Sequence, residues 1–269
     1  MSLPAAAPGR TAVVTGASSG IGVAIARELA SRRQQVTLVS RNAEKLTDLA
    51  DEINASGVRA DVLAADLSDR TERADLLRRV EDLSLTPSIL VNCAGLSTLG
   101  PVHKSDPEAE INMIEVDVVA VADLCSRFLP GMVARRSGAV LNVGSTGAFQ
   151  PLPGQAGYGA GKAFVLSYTQ SLAGELRGTG VSTTVLCPGP VDTGFGERAG
   201  FAKEDAEAAL PSVMWLTPEA VAKVGIDGLD KGQLVAIPGL VNRAASKLVQ
   251  FVPNKLLIPV LAKQHPGLR

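Results

Sequence analysis

A tyrosine and a lysine four residues apart form the first pattern with recognisable chemistry. Tyr158 and Lys162 lie in a segment predicted to be helical, so this spacing places both side chains on one face. A phenol normally titrates near pH ~10, but a nearby ammonium group favours the phenolate and lowers its pKa. Such a tyrosine can give or take a proton near neutral pH. Because similar polar pairs are frequent on helices, the interpretation depends on the surrounding residues.

A serine at the end of an apolar run supplies a second polar group. Ser145 follows residues 139–143, which are predicted to form a strand. The carboxyl ends of strands in a doubly wound sheet face the ligand crevice. The Ser145 hydroxyl can therefore donate a hydrogen bond to a carbonyl oxygen as negative charge develops there.

A glycine-rich segment joins the first predicted strand to the first predicted helix. Gly16 permits a tight turn, Gly20 lets the backbone approach a pyrophosphate, and Gly22 allows close packing of helix and strand. The hydroxyls of Ser18 and Ser19 add donors, and Ile21 completes the segment. A helix N-terminus in this setting presents unpaired N–H groups to an anion. The segment therefore predicts a dinucleotide site, although an ordinary turn is the alternative.

The end of the second predicted strand indicates which dinucleotide binds. Proteins that bind NAD through this fold usually place an acidic residue here, but this chain has Arg41. A guanidinium group pairs well with a phosphate, so Arg41 favours NADP over NAD. The alternative is that Arg41 is a solvated surface charge. Together with the tyrosine and the serine, this predicts hydride transfer between a nicotinamide and a carbonyl or alcohol group.

Alternation of short apolar runs with helical spacing predicts the elements that position these groups. The runs are 3–7 residues long and are typical of strands buried on both faces, at 11–15, 36–39, 58–64, 89–91, 139–143, 181–186 and 234–237. Helical patterns separate them, which implies a parallel sheet covered by helices on both faces. We predict one doubly wound α/β domain of the Rossmann type over residues 1–240, with about seven strands.

Two regions interrupt this alternation. Residues 194–216 mix charged and bulky apolar side chains after a strand end, which suits a lid over a ligand or, alternatively, a surface helix. The tail, residues 241–269, is apolar and is broken by prolines. From Lys231 onward there are six basic and no acidic residues, so the rest of the chain carries −7 (−1 minus 6). We expect the tail to pack on its own domain or on a second subunit, with peripheral membrane contact as the less favoured alternative.

Composition excludes several classes of function. The chain has 269 residues, 46% of them apolar, and a net charge of −1, which argues against a nucleic-acid-binding protein. Two histidines and three separated cysteines make a metal site improbable and suit a reducing compartment. We see no signal peptide and no apolar run long enough to span a membrane, so we expect a cytoplasmic protein.

Six motifs in matching order and at matching intervals resemble the short-chain dehydrogenase/reductase family. They are Thr15–Gly22, Asp66-Leu67, the segment Asn92 to Gly95, Ser145, the Tyr158/Lys162 pair, and the segment Pro188 to Thr193. The resemblance implies that Asp66 accepts from the adenine amino group beside the Leu67 amide, and that Asn92, Ala94 and Gly95 line the adenine-ribose side and stabilise the sheet. It further implies that Tyr158 is the general acid in reduction, that Ser145 holds the substrate oxygen and that Lys162 binds the nicotinamide ribose. By the same resemblance, Val191 and Thr193, which follow Pro188, hold the carboxamide.

One position departs from the family pattern. The motif Leu129-Pro130-Gly131-Met132 aligns, but Asp117 stands where the family usually has an asparagine that holds a water near the lysine. An aspartate would favour the ammonium form of Lys162 and oppose phenolate formation at Tyr158. We expect a working enzyme with a shifted pH optimum; a weakened or lost catalyst is the alternative.

These observations favour an NADP(H)-dependent oxidoreductase that interconverts a ketone and a secondary alcohol. Apolar residues of the lid, together with a tail that resembles those of a subgroup of reductases, favour a hydrophobic substrate such as a lipid-derived ketone. A non-catalytic NADPH sensor or scaffold is the main alternative, and a nucleotide-sugar epimerase is a weaker one, because such enzymes tend to be longer. The family resemblance implies a homodimer or homotetramer.

Overall fold

A computed structural model describes residues 3–200 and 210–268 of the chain. Its core is one parallel sheet of seven strands in the order β3-β2-β1-β4-β5-β6-β7. The strands are β1 (Arg10–Thr15), β2 (Gln35–Ser40), β3 (Ala60–Ala64), β4 (Thr86–Asn92), β5 (Gly138–Val143), β6 (Val181–Leu186) and β7 (Val235–Ala236). The predicted doubly wound sheet is confirmed.

Helices connect the strands and cover both faces of the sheet. The α-helices are α1 (Gly20–Ser31), α2 (Ala43–Ala55), α3 (Arg70–Asp82), α4 (Pro107–Ile114), α5 (Ala120–Ala134), α6 (Ala156–Glu175), α7 (Phe195–Arg198), α8 (Pro218–Asp230), α9 (Leu240–Leu248) and α10 (Asn254–Gln264). A π-helical turn, Glu115–Val119, joins α4 to α5. Short 3₁₀ turns lie at Val102–Lys104, Thr146–Phe149, Ser212–Met214, Val249–Phe251 and Pro266–Leu268.

The predicted strand positions are confirmed, and every observed end lies within three residues of the predicted one. β3 begins at Ala60 rather than at residue 58, because pairing with β2 begins at Val36 opposite Ala60. Val58 is nevertheless buried, so its apolar character reflects packing rather than strand pairing. β7 has only two residues, since it pairs with β6 alone at the edge of the sheet.

The two faces of the sheet carry separate hydrophobic cores. On one face, α1, α2 and α8 contribute fully buried side chains such as Ile25, Leu46 and Ile226. On the other face, α3, α5 and α6 contribute side chains such as Leu76, Leu124 and Val165. With both faces covered, the strands are continuously apolar, which explains the runs in the sequence.

The strand order reverses between β1 and β4. Successive crossovers run outward from β1 to β3 on one side and from β4 to β7 on the other. In open parallel sheets, ligands bind at such a switch point, outside the carboxyl ends of the strands. The fold therefore brings the loops that follow β1, β4, β5 and β6 to a common edge.

Candidate active site

A cavity of about 800 Å³ lies at this edge of the sheet. Its walls come from the glycine segment, the loops after β4, β5 and β6, described parts of the lid, and both tail helices with the turn that follows them. The fold thus places one continuous space against nearly all of the predicted site residues.

Ser145, Tyr158 and Lys162 meet in this cavity. Ser145 follows β5, and its Oγ accepts a hydrogen bond from the Gly147 backbone N–H at 3.0 Å, which fixes the start of the 3₁₀ turn. The Ser145 side chain is also near enough to Tyr158 to act against the rise of the Tyr158 pKa. Lys162 Nζ lies 5.5 Å from the centroid of the Tyr158 ring, one helical turn along α6. The phenol, the ammonium and the alcohol converge as the spacing predicts.

Asp117 pairs with Lys162 beneath the cavity surface. The distance from Lys162 Nζ to Asp117 Oδ2 is 2.9 Å, and Asp117 is only 1% exposed. The other carboxylate oxygen accepts a hydrogen bond from the Leu96 backbone N–H at 2.7 Å. Asp117 lies in the π-helical turn, a feature frequent at functional sites. Gly95 packs directly over the pair, where a Cβ would come 3.3 Å from Lys162 Nζ.

Electrostatics at this centre differ from the expectation for the tyrosine. Burial raises the pKa of Tyr158 and Asp117 adds to this rise, so the opposing effects of Lys162 and Ser145 leave it above its ordinary value. The predicted lowering is therefore wrong, because burial of the phenol, together with the charge of Asp117, outweighs the effect of Lys162. Burial alone would lower the pKa of Lys162, but Asp117 and Tyr158 raise it. Both groups hold their protons at neutral pH.

The glycine segment forms one wall of the cavity. Thr15 Oγ1 accepts hydrogen bonds from the backbone N–H groups of Cys93 and Ala94, at 3.0 and 3.1 Å, which ties the β1 and β4 loops together. Gly20 has a positive φ of 51°, and a Cβ there would come 2.7 Å from the Thr193 side chain. The predicted binding residues of this wall all line the cavity: Gly16, Ser18, Ser19, Gly20, Ile21 and Gly22.

A basic residue lies at the far end of the same wall. Arg41 lines the cavity, and its side chain is 63% exposed. Its nearest carboxylate is Asp66, at 3.9 Å. Asp66 Oδ1 accepts hydrogen bonds from the backbone N–H and the hydroxyl of Ser68. Burial opposes ionisation of Asp66, but Ser68 and the charge of Arg41 lower its pKa. The guanidinium group is therefore only loosely paired.

Most of the remaining predicted residues also line the cavity, and two do not. Leu67, Ala94, Gly95, Pro188, Val191 and Thr193 are at its surface. Asn92 is not: it is 3% exposed, and its Nδ2 donates to Asn142 Oδ1 at 2.8 Å between β4 and β5. Asn92 therefore lies between the two strands rather than at the cavity surface, and its expected role in stabilising the sheet fits these contacts. Asp117 is also absent from the surface because it lies behind Lys162.

The lid and the tail close the opposite end of the cavity. Phe195, Leu210, Met214 and Trp215 line it, and the Phe195 ring lies 5.9 Å from that of Tyr158. This supports a lid rather than a surface helix, although residues 201–209 of the predicted lid lie outside the described residues.

Tail residues that sequence reasoning did not select also reach the cavity. Asn242 Nδ2 donates to the backbone oxygens of Met214, at 3.0 Å, and Pro238, at 3.2 Å. His265 Nε2 lies 3.3 Å from Gln155 Oε1, near the start of α6. A polar Asn242 within an apolar tail was the only available signal for this contact.

The described part of the chain contains no candidate metal site. No group of three or more His, Cys, Asp or Glu side chains there is arranged to hold a metal ion. No helix within residues 3–200 and 210–268 has the length and hydropathy needed to cross a bilayer.

Comparison with known proteins matches this geometry. The family profile for short chain dehydrogenases covers residues 10–203. A short chain dehydrogenase from Pseudocercospora fijiensis is 40% identical over 72% of this chain, which spans 66% of that relative. A very-long-chain 3-oxoacyl-CoA reductase from Anas platyrhynchos is 34% identical over 97% of this chain and 81% of its own length.

A solved structure extends the match to three dimensions. A short-chain dehydrogenase from Sphingobium yanoikuyae in complex with NADPH superposes with a TM-score of 0.78. It is 31% identical, with coverage of 91% of this chain and 96% of that chain. The sheet order, the converging serine, tyrosine and lysine, and these matches agree: the chain belongs to the short-chain dehydrogenase/reductase family of oxidoreductases.

Proposed function

We propose that this protein uses NADPH to reduce the ketone group of a hydrophobic, long-chain substrate to a secondary alcohol. The observation that carries the proposal is the convergence of Ser145, Tyr158 and Lys162 in a cavity that continues to the glycine segment and Arg41. One space can therefore hold a dinucleotide and a second molecule side by side.

The cavity wall from Gly16 to Arg41 fits a phosphorylated dinucleotide. The first turn of α1 offers backbone N–H groups to a pyrophosphate, and Ser18 and Ser19 lie beside it. Arg41 and Lys45 line the far end, where a 2′-phosphate would find two cations. The relative from Sphingobium yanoikuyae, solved with NADPH, supports the same choice. The bound dinucleotide supplies the hydride.

Further residues would orient the nicotinamide end. Lys162 lies at the cavity surface, within reach of a ribose hydroxyl, and also sets the charge near Tyr158. Val191 and Thr193 follow β6 and would hold the carboxamide, while Asp66 and Leu67 would contact the adenine. The contact between Thr193 and Gly20 keeps the two cofactor walls at a fixed separation.

The proton chemistry follows from the hydrogen bonds at this centre. Ser145 donates to the carbonyl oxygen and holds it beside Tyr158, which then protonates it as negative charge develops. A tyrosine with a raised pKa is protonated at neutral pH, so it is ready to act as an acid. Asp117 contributes to this rise and keeps Lys162 charged. The ionisation state thus favours reduction over oxidation at neutral pH.

The substrate end of the cavity is mainly apolar. Phe195, Met214, Val249 and Leu261 supply walls that can bury an aliphatic chain. Each buried CH₂ contributes about 0.8 kcal/mol, so a long chain would add substantial binding energy. The relative from Anas platyrhynchos, which reduces very-long-chain 3-oxoacyl-CoA, supports an acyl substrate.

A panel of 3-oxoacyl thioesters of increasing chain length, extended with cyclic ketones, tests this function. We expect NADPH consumption to exceed NADH consumption at equal concentration, and kcat/KM to rise by about fourfold per added CH₂ until the apolar walls are covered. NADPH binding without turnover across the panel would instead support the non-catalytic sensor or scaffold.

Location and assembly are part of the same proposal. A cytoplasmic homodimer or homotetramer agrees with the family resemblance and with Cys93, Cys125 and Cys187, which are all free thiols. Light scattering of the purified protein measures the assembly, and a monomer at micromolar concentration would remove that part of the proposal.

A further inference from the structure

The first tail helix, α9, buries polar side chains and exposes leucines, unlike an ordinary surface helix. Its buried positions are polar: Asn242 is 1% exposed and Ser246 is 4% exposed. Its outward positions include large apolar side chains, with Leu240 80% exposed and Leu248 68% exposed. A helix on a globular protein normally buries its apolar stripe and exposes its polar side.

Hydrogen bonds fix α9 in this orientation. Asn242 donates to the backbone oxygens of Met214 and Pro238 and packs against Gly189 in the loop after β6. Rotating the helix to bury its leucines would break these contacts and expose polar groups that are now paired. The outward apolar stripe is therefore a consequence of how the lid and the tail pack together.

Exposed apolar side chains continue beyond α9 into the following turn and α10. Leu240, Ala244 and Leu248 follow one another at intervals of four, and Phe251 extends the row at 86% exposure. On α10, Leu256 and Val260 repeat the pattern at 65% and 52% exposure. We use the name tail face for a set of exposed apolar side chains on the two helices and the turn between them: Leu240, Leu248, Phe251, Leu256 and Val260.

The positive charge of the tail favours one kind of binding partner for this face. Lys247 and Lys255 are exposed on the same two helices, and residues 231–269 contain no acidic side chain. A second copy docked through a two-fold axis would bring like-charged tails together, which is unfavourable. An anionic bilayer offers both complements at once, because phosphate groups lie directly above an apolar layer.

The cavity lies against the inner side of the same helix. Ala245, Ser246 and Val249 line the cavity, while their neighbours Leu248 and Phe251 face outward. We propose that the tail face docks on an anionic lipid surface, with its leucines and Phe251 inserted among the acyl chains and its lysines against the phosphates. A protein docked in this way holds its cavity next to the bilayer.

Vesicle co-sedimentation tests the proposal without reference to catalysis. Vesicles of phosphatidylcholine, alone or mixed with phosphatidylglycerol, are incubated with the full chain and pelleted. We expect stronger binding to the mixed vesicles, weakened by salt. The double variant L248D/F251D is expected to lose at least about tenfold in affinity, because two inserted apolar side chains are replaced by charges.

Two further variants separate the contributions. K247E/K255E is expected to weaken binding to the mixed vesicles by about tenfold and to leave binding to phosphatidylcholine unchanged. Ile111→Asp, on α4, changes a side chain of comparable exposure (58%) away from the tail and is expected to bind as the parent does. NADPH binding and melting temperature of each variant show that the fold is retained.

Several results would overturn the proposal. If the parent and L248D/F251D bind vesicles equally well, the tail face is not the contact. The same conclusion follows if Ile111→Asp loses as much vesicle affinity as L248D/F251D does. Absence of binding to either vesicle, with a parent dimer that L248D/F251D converts to monomer, would assign the face to a second copy. NADPH turnover on a soluble ketone is expected to persist in L248D/F251D, so failure here is distinct from failure of the proposed reduction.

Discussion

The two ends of the cavity are built in opposite ways. At the proton-transfer end, buried charges are compensated within the chain, as in the Lys162–Asp117 pair, and the sheet fixes their positions. At the substrate end, the tail and the lid are held by a few polar contacts such as those of Asn242, while apolar side chains face outward. The comparison indicates that the sheet fixes the positions of the proton-transfer groups, while the attached segments shape the other end of the cavity.

The largest expected effect comes from removing the acid at the proton-transfer end. Tyr158→Phe keeps the ring that packs against Phe195 but deletes the hydroxyl. We expect kcat for ketone reduction to fall by about 10²–10⁴-fold, with NADPH affinity unchanged. Steady-state kinetics and NADPH fluorescence measure both quantities, and a variant with near-normal kcat would show that another group supplies the proton.

The next effect concerns the cofactor wall between the two ends. Arg41→Ala removes the guanidinium group proposed to bind the 2′-phosphate, and we expect KM for NADPH to rise about 10–100-fold while KM for NADH stays the same. Arg177→Ala serves as the control, because Arg177 is an exposed arginine that does not line the cavity. Equal loss with both cofactors would mean that Arg41 does not distinguish them.

A smaller effect is expected where the tail is attached. Asn242→Ala removes two hydrogen bonds and leaves the Met214 and Pro238 carbonyls without this donor. We expect the free energy of unfolding to fall by about 1–3 kcal/mol and proteolysis of the tail to become faster. Asn254→Ala, at an exposed position of the same tail, is expected to stay within about 0.5 kcal/mol of the parent. Equal stability of the two variants would contradict the anchoring role.

The smallest change in rate is expected from Asp117→Asn, whose effect is on pH dependence. Removing this charge lowers the pKa of both Tyr158 and Lys162, because Asp117 raises each of them. Alcohol oxidation, which needs the phenolate, should therefore reach its half-maximal rate at lower pH than in the parent. Reduction needs the protonated tyrosine, so the loss of its rate at alkaline pH should begin at a lower pH than in the parent.

Neighbouring groups do not alter the direction of this shift. Burial raises the thiol pKa of Cys93 and of Cys187 to about 12, so both are neutral near the site. Asp82→Asn is the control, since Asp82 is an exposed aspartate that pairs with Arg78 on α3 at 2.7 Å. A pH–rate profile that is the same for the parent and Asp117→Asn would remove the proposed role of Asp117.

Much of the fold and of the catalytic centre could be predicted from the sequence. Continuous apolar runs locate the strands because both faces of the sheet are covered, and the spacing of Tyr158 and Lys162 fixes their shared helical face. Strand ends place Ser145 and the glycine segment at the same edge. These inferences depend on local periodicity and on the direction of the strands, which the sequence records.

Other features depend on packing that the sequence does not record. The pKa of Tyr158 rises because of burial, and the depth of burial follows from how α6, the lid and the β5 loop meet. Asn92 is directed between β4 and β5 by its partner Asn142, fifty residues away. The inverted orientation of α9 follows from contacts between Asn242 and the lid, so its composition alone left packing and membrane contact as alternatives.

Transfer of deuterium from NADPH that carries deuterium at both C4 positions tests whether this protein reduces a ketone with Tyr158 as the acid. The parent enzyme and Tyr158→Phe are each incubated with the labelled cofactor and a long-chain 3-oxoacyl thioester, and the product is examined by mass spectrometry. The account predicts deuterated 3-hydroxyacyl product from the parent, very little from Tyr158→Phe, and equal NADPH binding by both. Equal product from both proteins, or NADPH binding with no product from the parent, would contradict it.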